Sequence, residues 1–187
     1  MSSFGVVSHP RVLTDVPMLD TVIAAHAQEL GEDLVGYRNH SYRVLNLCLA
    51  LGPTEVEVER IATAAAYHDL GIWTHRTFDY LEPSAGLAAA HLQAEGKVGW
   101  IPEVTEMIHH HHKLSQYRLE AHPLVEPFRQ ADWIDVSRGL FTFGVSRARV
   151  RELFAIWPSA GFHRRLVELE LRRLRTHPWN PLPMFRL

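Results

Sequence analysis

Histidine and aspartate recur in apolar surroundings at several separated points of this chain, and those two residue types together suit metal binding. His68-Asp69 closes the run Ala-Ala-Tyr-His-Asp-Leu-Gly, where a helix interior would normally exclude a charge. Burying a carboxylate costs on the order of several kcal/mol unless it is paired or bound to a metal. The plainer alternative is an aspartate that ends a helix beside Gly71. His40 precedes the pair on a mostly apolar helix, His111 and His112 follow on a later one, and Asp132 stands between Ala131 and Trp133-Ile134. A His-Asp dipeptide is weak by itself; its setting gives it weight. The chain holds 13 histidines in 187 residues, and histidine is the commonest metal ligand. Either a metal site or a histidine-rich surface accounts for that number.

The elements that must position these groups read as helices. Leu19, Val22, Ile23, His26 and Leu30 recur at helical spacing and predict a first helix ending at Gly31. A second covers 37–51, closed by Gly52-Pro53. Thr54 and Glu57 form a capping box for a third, which runs through Ile61, Ala65 and Tyr67 to Asp69 and breaks at Gly71. Residues 71–83 read as a loop whose Trp73, Phe78 and Tyr80 either wall a cleft or seal the core. Ser84 is expected to cap a helix that ends at Gly96, and Pro102-Glu103 to open one containing His109-His110-His111-His112. Further helices are predicted over 128–136, 146–157 and 160–176. Strand-like alternation is nearly absent. The expected fold is all-α, a single-domain bundle of seven or eight helices over 17–177, with an N-terminal arm at 1–16 and an extended, proline-rich tail at 178–187.

The order His40, His68-Asp69, His111-His112, Asp132 on successive helices resembles the HD superfamily of metal-dependent phosphohydrolases over roughly residues 36–140. Arg43, Gly71 and Ala131-Asp132-x-x-Asp135 add to the likeness. The resemblance implies a helical bundle of the HD-domain type, with His40, His68, Asp69 and Asp132 as ligands of one divalent ion (Mn, Fe, Co, Ni, Zn or Mg). Two imidazoles and two carboxylates suit a borderline ion better than calcium, and four ligands leave positions open for water and substrate. Neighbours such as His68 and Asp69 seldom share a helix face, but at a helix end they can converge. Ile108 followed by His111-His112 matches the family pattern, so those two are expected to face the cleft, with His109 and His110 turned outward; at about 100° per residue four consecutive side chains cannot share one side. A histidine opens the helix after the HD pair in the dinuclear branch. Here Ser84 stands there and His91 follows two turns later, where it reads equally well as a core residue, so a second ion is not implied. Ile72 and Trp73 replace a frequent lysine, and the Gly-Tyr-Pro element of the cyclic-di-GMP phosphodiesterase branch is absent.

The implied chemistry is hydrolysis of a phosphoester, a nucleotide or related small molecule, by a metal-activated water. Asp69 or Asp132 would accept the water's proton, and His111 or His112 would protonate the leaving oxygen. Arg43 and Lys113 are candidates to neutralise the phosphoryl group, or are merely helix surface charges. Two rivals stand beside this reading. A mixed-valent diiron oxygenase would need six protein ligands, His91 and one of His111/His112 among them. A non-catalytic metal-binding scaffold or sensor would need only the fold.

Composition narrows the setting. A formal net charge of −2 gives no electrostatic footprint for nucleic acid, though it leaves room for a basic groove on one face. The single cysteine, Cys48, can form no internal disulfide. The N-terminus lacks the basic-then-apolar pattern of a secretory signal, and no apolar run approaches the roughly 18 to 20 residues that span a bilayer. A cytoplasmic protein with a small-molecule partner and no membrane or nucleic-acid partner is expected; the apolar tail could support a homodimer.

Overall fold

The computed structural model describes residues 11–52, 57–176, 178–179 and 184, and no strand occurs among them. Eight helices of at least nine residues and two of a single turn make up the described fold: α1 (Pro17–Ala25), α2 (Ala27–Leu30), α3 (Leu34–Ala50), α4 (Val58–Tyr67), α5 (Gly71–Thr74), α6 (Leu81–Ala94), α7 (Ile101–His110), α8 (Val125–Val136), α9 (Arg147–Ile156) and α10 (Phe162–Thr176). None is long and apolar enough to cross a membrane.

α3 is the axis of the bundle. From Gly36 to Leu49 every residue except Arg38 is buried, the mark of a helix enclosed on all sides. Its polar residues therefore need partners inside the protein. Ser41 Oγ donates to the Tyr37 carbonyl at 3.0 Å. Asn46 donates to the Tyr42 and Leu13 carbonyls and accepts from the Leu13 N–H at 2.8 Å. Val16 N–H donates to the Tyr42 hydroxyl at 3.0 Å. The described part of the N-terminal arm is thus hydrogen-bonded to α3. α4 brings Ala62, Ala64, Ala65 and Ala66, all fully buried, and such short side chains let its backbone lie close to α3. α8 packs along α3 on another side, and α7 bridges α4, α6 and α8.

Several elements differ from the sequence expectations. The first predicted helix is interrupted at His26 (φ −108°, ψ 21°) into α1 and α2, followed by a 3-10 turn at Gly31–Asp33. The stretch expected as a loop after Asp69 holds α5. α6 starts at Leu81, so Ser84 lies inside it and caps nothing; Pro83 fits the first turn, where its missing N–H has no helical partner to lose. Ser84 Oγ instead accepts from the Gly71 N–H at 2.9 Å. A Cβ on Gly71 would stand 2.6 Å from the Tyr80 carbonyl oxygen and 2.9 Å from Ser84 Oγ, so only glycine allows α5 to rest on the start of α6. Ser146 does cap α9, accepting from the Arg149 N–H at 3.1 Å. Thr54, and most of the tail at 178–187, lie outside the described residues; Met184 is buried in the core.

Candidate metal centre

Four helix segments deliver the histidines and aspartates to one buried point. α3 supplies His40 from its middle. The turn after α4 supplies His68 and Asp69, and the turn after α7 supplies His111 and His112. α8 supplies Asp132 and, one turn on, Asp135. His40, His68, His111 and Asp135 are fully buried, and Asp69 and Asp132 nearly so. His68 and Asp69 leave the regular helix together, and both turn inward, 3.5 Å apart from Nε2 to Oδ2.

The imidazoles are aimed by their second nitrogens. His40 Nδ1 lies 2.6 Å from Asp135 Oδ2, His68 Nδ1 lies 3.0 Å from the Ala65 carbonyl, and His111 Nδ1 lies 2.6 Å from the Ile108 carbonyl. Each Nδ1–H donates to that acceptor, so each Nε2 faces the interior of the cluster. Such an outer partner fixes ring orientation and tautomer, as it does in metal-ligating histidines generally. Packing completes the restraint: Phe162 stacks on His40 with centroids 4.1 Å apart, and Phe128 sets its edge against His68.

The cluster has the spacing and the unsatisfied atoms of a cation site. His40 Nε2 and His68 Nε2 are 2.9 Å apart, and each lies 3.5 to 3.7 Å from Asp69 Oδ2 and Asp132 Oδ1. Ligand atoms held about 2.1 Å from a common ion stand roughly 3 to 3.5 Å from one another. Asp69 Oδ1 and both oxygens of Asp132 are buried and accept no hydrogen bond. Leaving such groups bare is costly, and a bound ion is a standard remedy. His40, His68 and Asp69 form one tight group, and Asp69, His111 and His112 a second that shares Asp69. Asp132 faces both, with Oδ2 3.4 Å from His112 Nδ1. The residues present therefore fit a divalent ion.

Electrostatics agree. Burial pushes the Asp132 carboxyl up to about 7, although the neighbouring imidazoles oppose it. Burial would also raise Asp69, but His68 and His111 outweigh it and hold that carboxyl well below its usual range. Two carboxylates facing one space thus keep a proton between them unless a cation replaces it. Burial drives His68 down to about 3, which leaves its nitrogen unprotonated and ready to ligate. His112 is lowered by burial and by the charge of His111. His111 goes the other way: burial opposes its charge, yet Asp69 and Asp132 together raise it above the ordinary histidine value.

Arg43 has different surroundings from those of a phosphoryl contact. Arg43 is fully buried; its Nε and Nη2 donate to the two oxygens of Asp135, and Nη1 donates to the Trp157 and Pro158 carbonyls at 2.8 and 3.3 Å. It holds Asp135, which in turn holds His40. Lys113 directs its carbonyl to Arg129 and Trp133. His109 and His110 point away, toward Glu82 and Glu106. His91 packs against the Tyr67 ring and belongs to neither histidine–aspartate group. Of the three aromatics after the HD pair, Trp73 stands against Tyr37, Phe78 packs in the core, and Tyr80 turns its hydroxyl to 3.5 Å from His111 Nε2.

Sequence reasoning noted Asp135 only within the family likeness and Tyr80 only as one of three aromatics walling a cleft or sealing the core; it placed neither against a histidine of the cluster. The signal for Asp135 was present, since it follows Asp132 by one helical turn and so shares its face. Tyr80 carried no comparable signal, because its approach depends on how α5 folds back onto α6.

A family model described as the HD domain matches residues 37–137, more than half of the chain. No curated protein and no solved structure matches the chain significantly. The matched span contains every histidine and aspartate of the buried cluster, together with Arg43 and Asp135. On that match, and with an all-helical fold to carry it, the chain belongs to the HD-domain family.

Proposed function

We propose that the protein is a metal-dependent hydrolase of a small phosphoester, a nucleotide or a related molecule. The HD-domain family is in general one of metal-dependent phosphohydrolases, and the buried cluster is compatible with that chemistry. The observation that carries the proposal is the trio of buried carboxylate oxygens without hydrogen bonds, facing imidazole nitrogens whose other nitrogens are already engaged.

In this reading His40, His68, Asp69 and Asp132 hold one divalent ion. Such an ion supplies Lewis acidity toward water and toward a phosphoryl oxygen. Asp69, whose Oδ1 makes no hydrogen bond and is faced by His111, takes the proton that the attacking water loses as the new P–O bond forms. His111, held protonated by the two carboxylates and 3.3 Å from Asp69 Oδ1, gives its Nε2 proton to the oxygen released when the old P–O bond breaks. The Tyr80 hydroxyl stands 3.5 Å from the same His111 Nε2. His112, the least buried of the inward-facing histidines, stands at the rim. Arg43 contributes by fixing Asp135 and through it His40, rather than by touching the phosphoryl group.

A diiron oxygenase would need His91 at the cluster, and its place against Tyr67 gives that reading no support. The test is a hydrolysis screen of nucleotides and generic phosphoesters with and without Mn. Activity with at least one substrate, abolished in a folded Asp69→Ala variant, is expected. No turnover of any phosphoester would leave a metal-binding scaffold as the better reading.

A further inference from the structure

We propose a second binding site, for a soluble phosphate-bearing small molecule, in a cleft between the loop after α5 and the helix α10. This inference stands apart from the hydrolase reading, because no residue of the histidine–aspartate cluster lines the cleft. The cleft has a volume of about 540 Å³ and is lined by Arg76, Arg165, Arg172 and Arg173 and by Glu29, with Asp33 and Asp79 paired to two of the arginines beside it. Pockets of roughly 300 to 1,000 Å³ are the usual size for small ligands. Arg165, Leu169, Arg172 and Thr176 follow one another at helical spacing, so α10 turns to it one face that carries two arginines. Trp73 and Phe78 add apolar lining.

Four arginines around one concavity in a chain of net charge −2 are a concentrated local charge. Two of them are already engaged: Arg165 with Asp33 at 2.9 Å, and Arg173 with Asp79 at 3.3 Å. Arg76 and Arg172 have no side-chain partner among the described residues, so their guanidinium groups are available to an anion. Guanidinium recognises phosphate bidentately, which makes two free arginines across a cleft a fitting pair of jaws. The backbone adds an independent sign. Arg76 has φ 51°, a conformation that favours glycine over any long side chain. A strained backbone at a residue that lines a cleft is characteristic of ligand-holding positions. The concave shape fits a small anion better than a nucleic acid or a flat lipid surface.

The test is isothermal titration of the full-length protein, as purified, with inorganic pyrophosphate, comparing wild type with Arg76→Gly, Arg172→Ala and the double variant. Each single change is expected to weaken pyrophosphate binding about tenfold, and added salt to weaken the wild type further. Arg76→Gly separates binding from structure: glycine accepts the positive φ, so its melting temperature should match or exceed wild type while affinity falls. Undiminished binding in the double variant would place the pyrophosphate elsewhere and overturn the proposal. So would no binding by the wild type, or capture by anionic phospholipid vesicles without any affinity for pyrophosphate.

Discussion

Replacing Asp135 by Asn should cripple folding and metal binding through one buried contact. Asp135 and Arg43 are both fully buried; Asp135 accepts from Arg43 Nε and Nη2 and from His40 Nδ1, and Arg43 spends Nη1 on the Trp157 and Pro158 carbonyls. The two guanidinium bonds and the imidazole bond hold the Asp135 carboxyl ionised, far below its usual range. Asn keeps the volume but leaves a buried cation without its counter-ion, a loss of about 3 to 5 kcal/mol. For a domain of this size that lowers the melting temperature by about 6 to 20 °C, at ~2 to 4 °C per kcal/mol. Thermal unfolding followed by circular dichroism in the presence of a chelator measures this term without any contribution from bound metal. The paired replacement Arg43→Met/Asp135→Leu should recover most of that stability, because an apolar substitute for a buried ion pair is often neutral. It should still bind metal about 10- to 100-fold more weakly, since His40 loses the acceptor that fixes its tautomer. An Asp135→Asn protein that melts with the wild type, or a paired variant with undiminished metal affinity, would refute this account.

Two further outcomes follow from the same geometry. Metal affinity should rise with pH by about tenfold per unit below pH 7 and level off above it, because Asp132, raised to about 7, must release its proton to the solvent when the ion enters. The slope of log affinity against pH below 7, read by titration calorimetry, should lie near one; a flat profile would contradict the coupling. Gly71→Ala should destabilise the chain by about 1 to 3 kcal/mol, since the new methyl meets the Tyr80 carbonyl oxygen and backbone must move; a wild-type denaturation midpoint would show that α5 and α6 are not so closely apposed.

Much of the helical framework was legible because burial imposes periodicity on sequence. The 37–51 stretch reads as one helix for the same reason that α3 is one: nearly every side chain in it is apolar or internally bonded. The cluster was legible from charge in the wrong solvent, with His68-Asp69 and Asp132 standing among alanine, tryptophan and isoleucine. What failed to show was partnership between distant residues. Arg43 is visible as a cation, but its counter-ion lies on α8, and without that partner it resembles a phosphate ligand. Ser84 has the chemistry of a cap, and only the close approach of Gly71 gives its hydroxyl other work. The basic cleft was equally hidden, because Arg76 and Arg172 meet only after α10 packs beside the loop that follows α5.

The most direct test is elemental analysis of the protein after reconstitution with Mn, Fe, Co, Ni or Zn in turn, followed by desalting. A cation held by His40, His68, Asp69 and Asp132 predicts close to one retained ion per chain, lost in His68→Ala and in Asp69→Ala. Retention of none of these metals by the folded wild type, or equal retention by both variants, would contradict the metal centre itself.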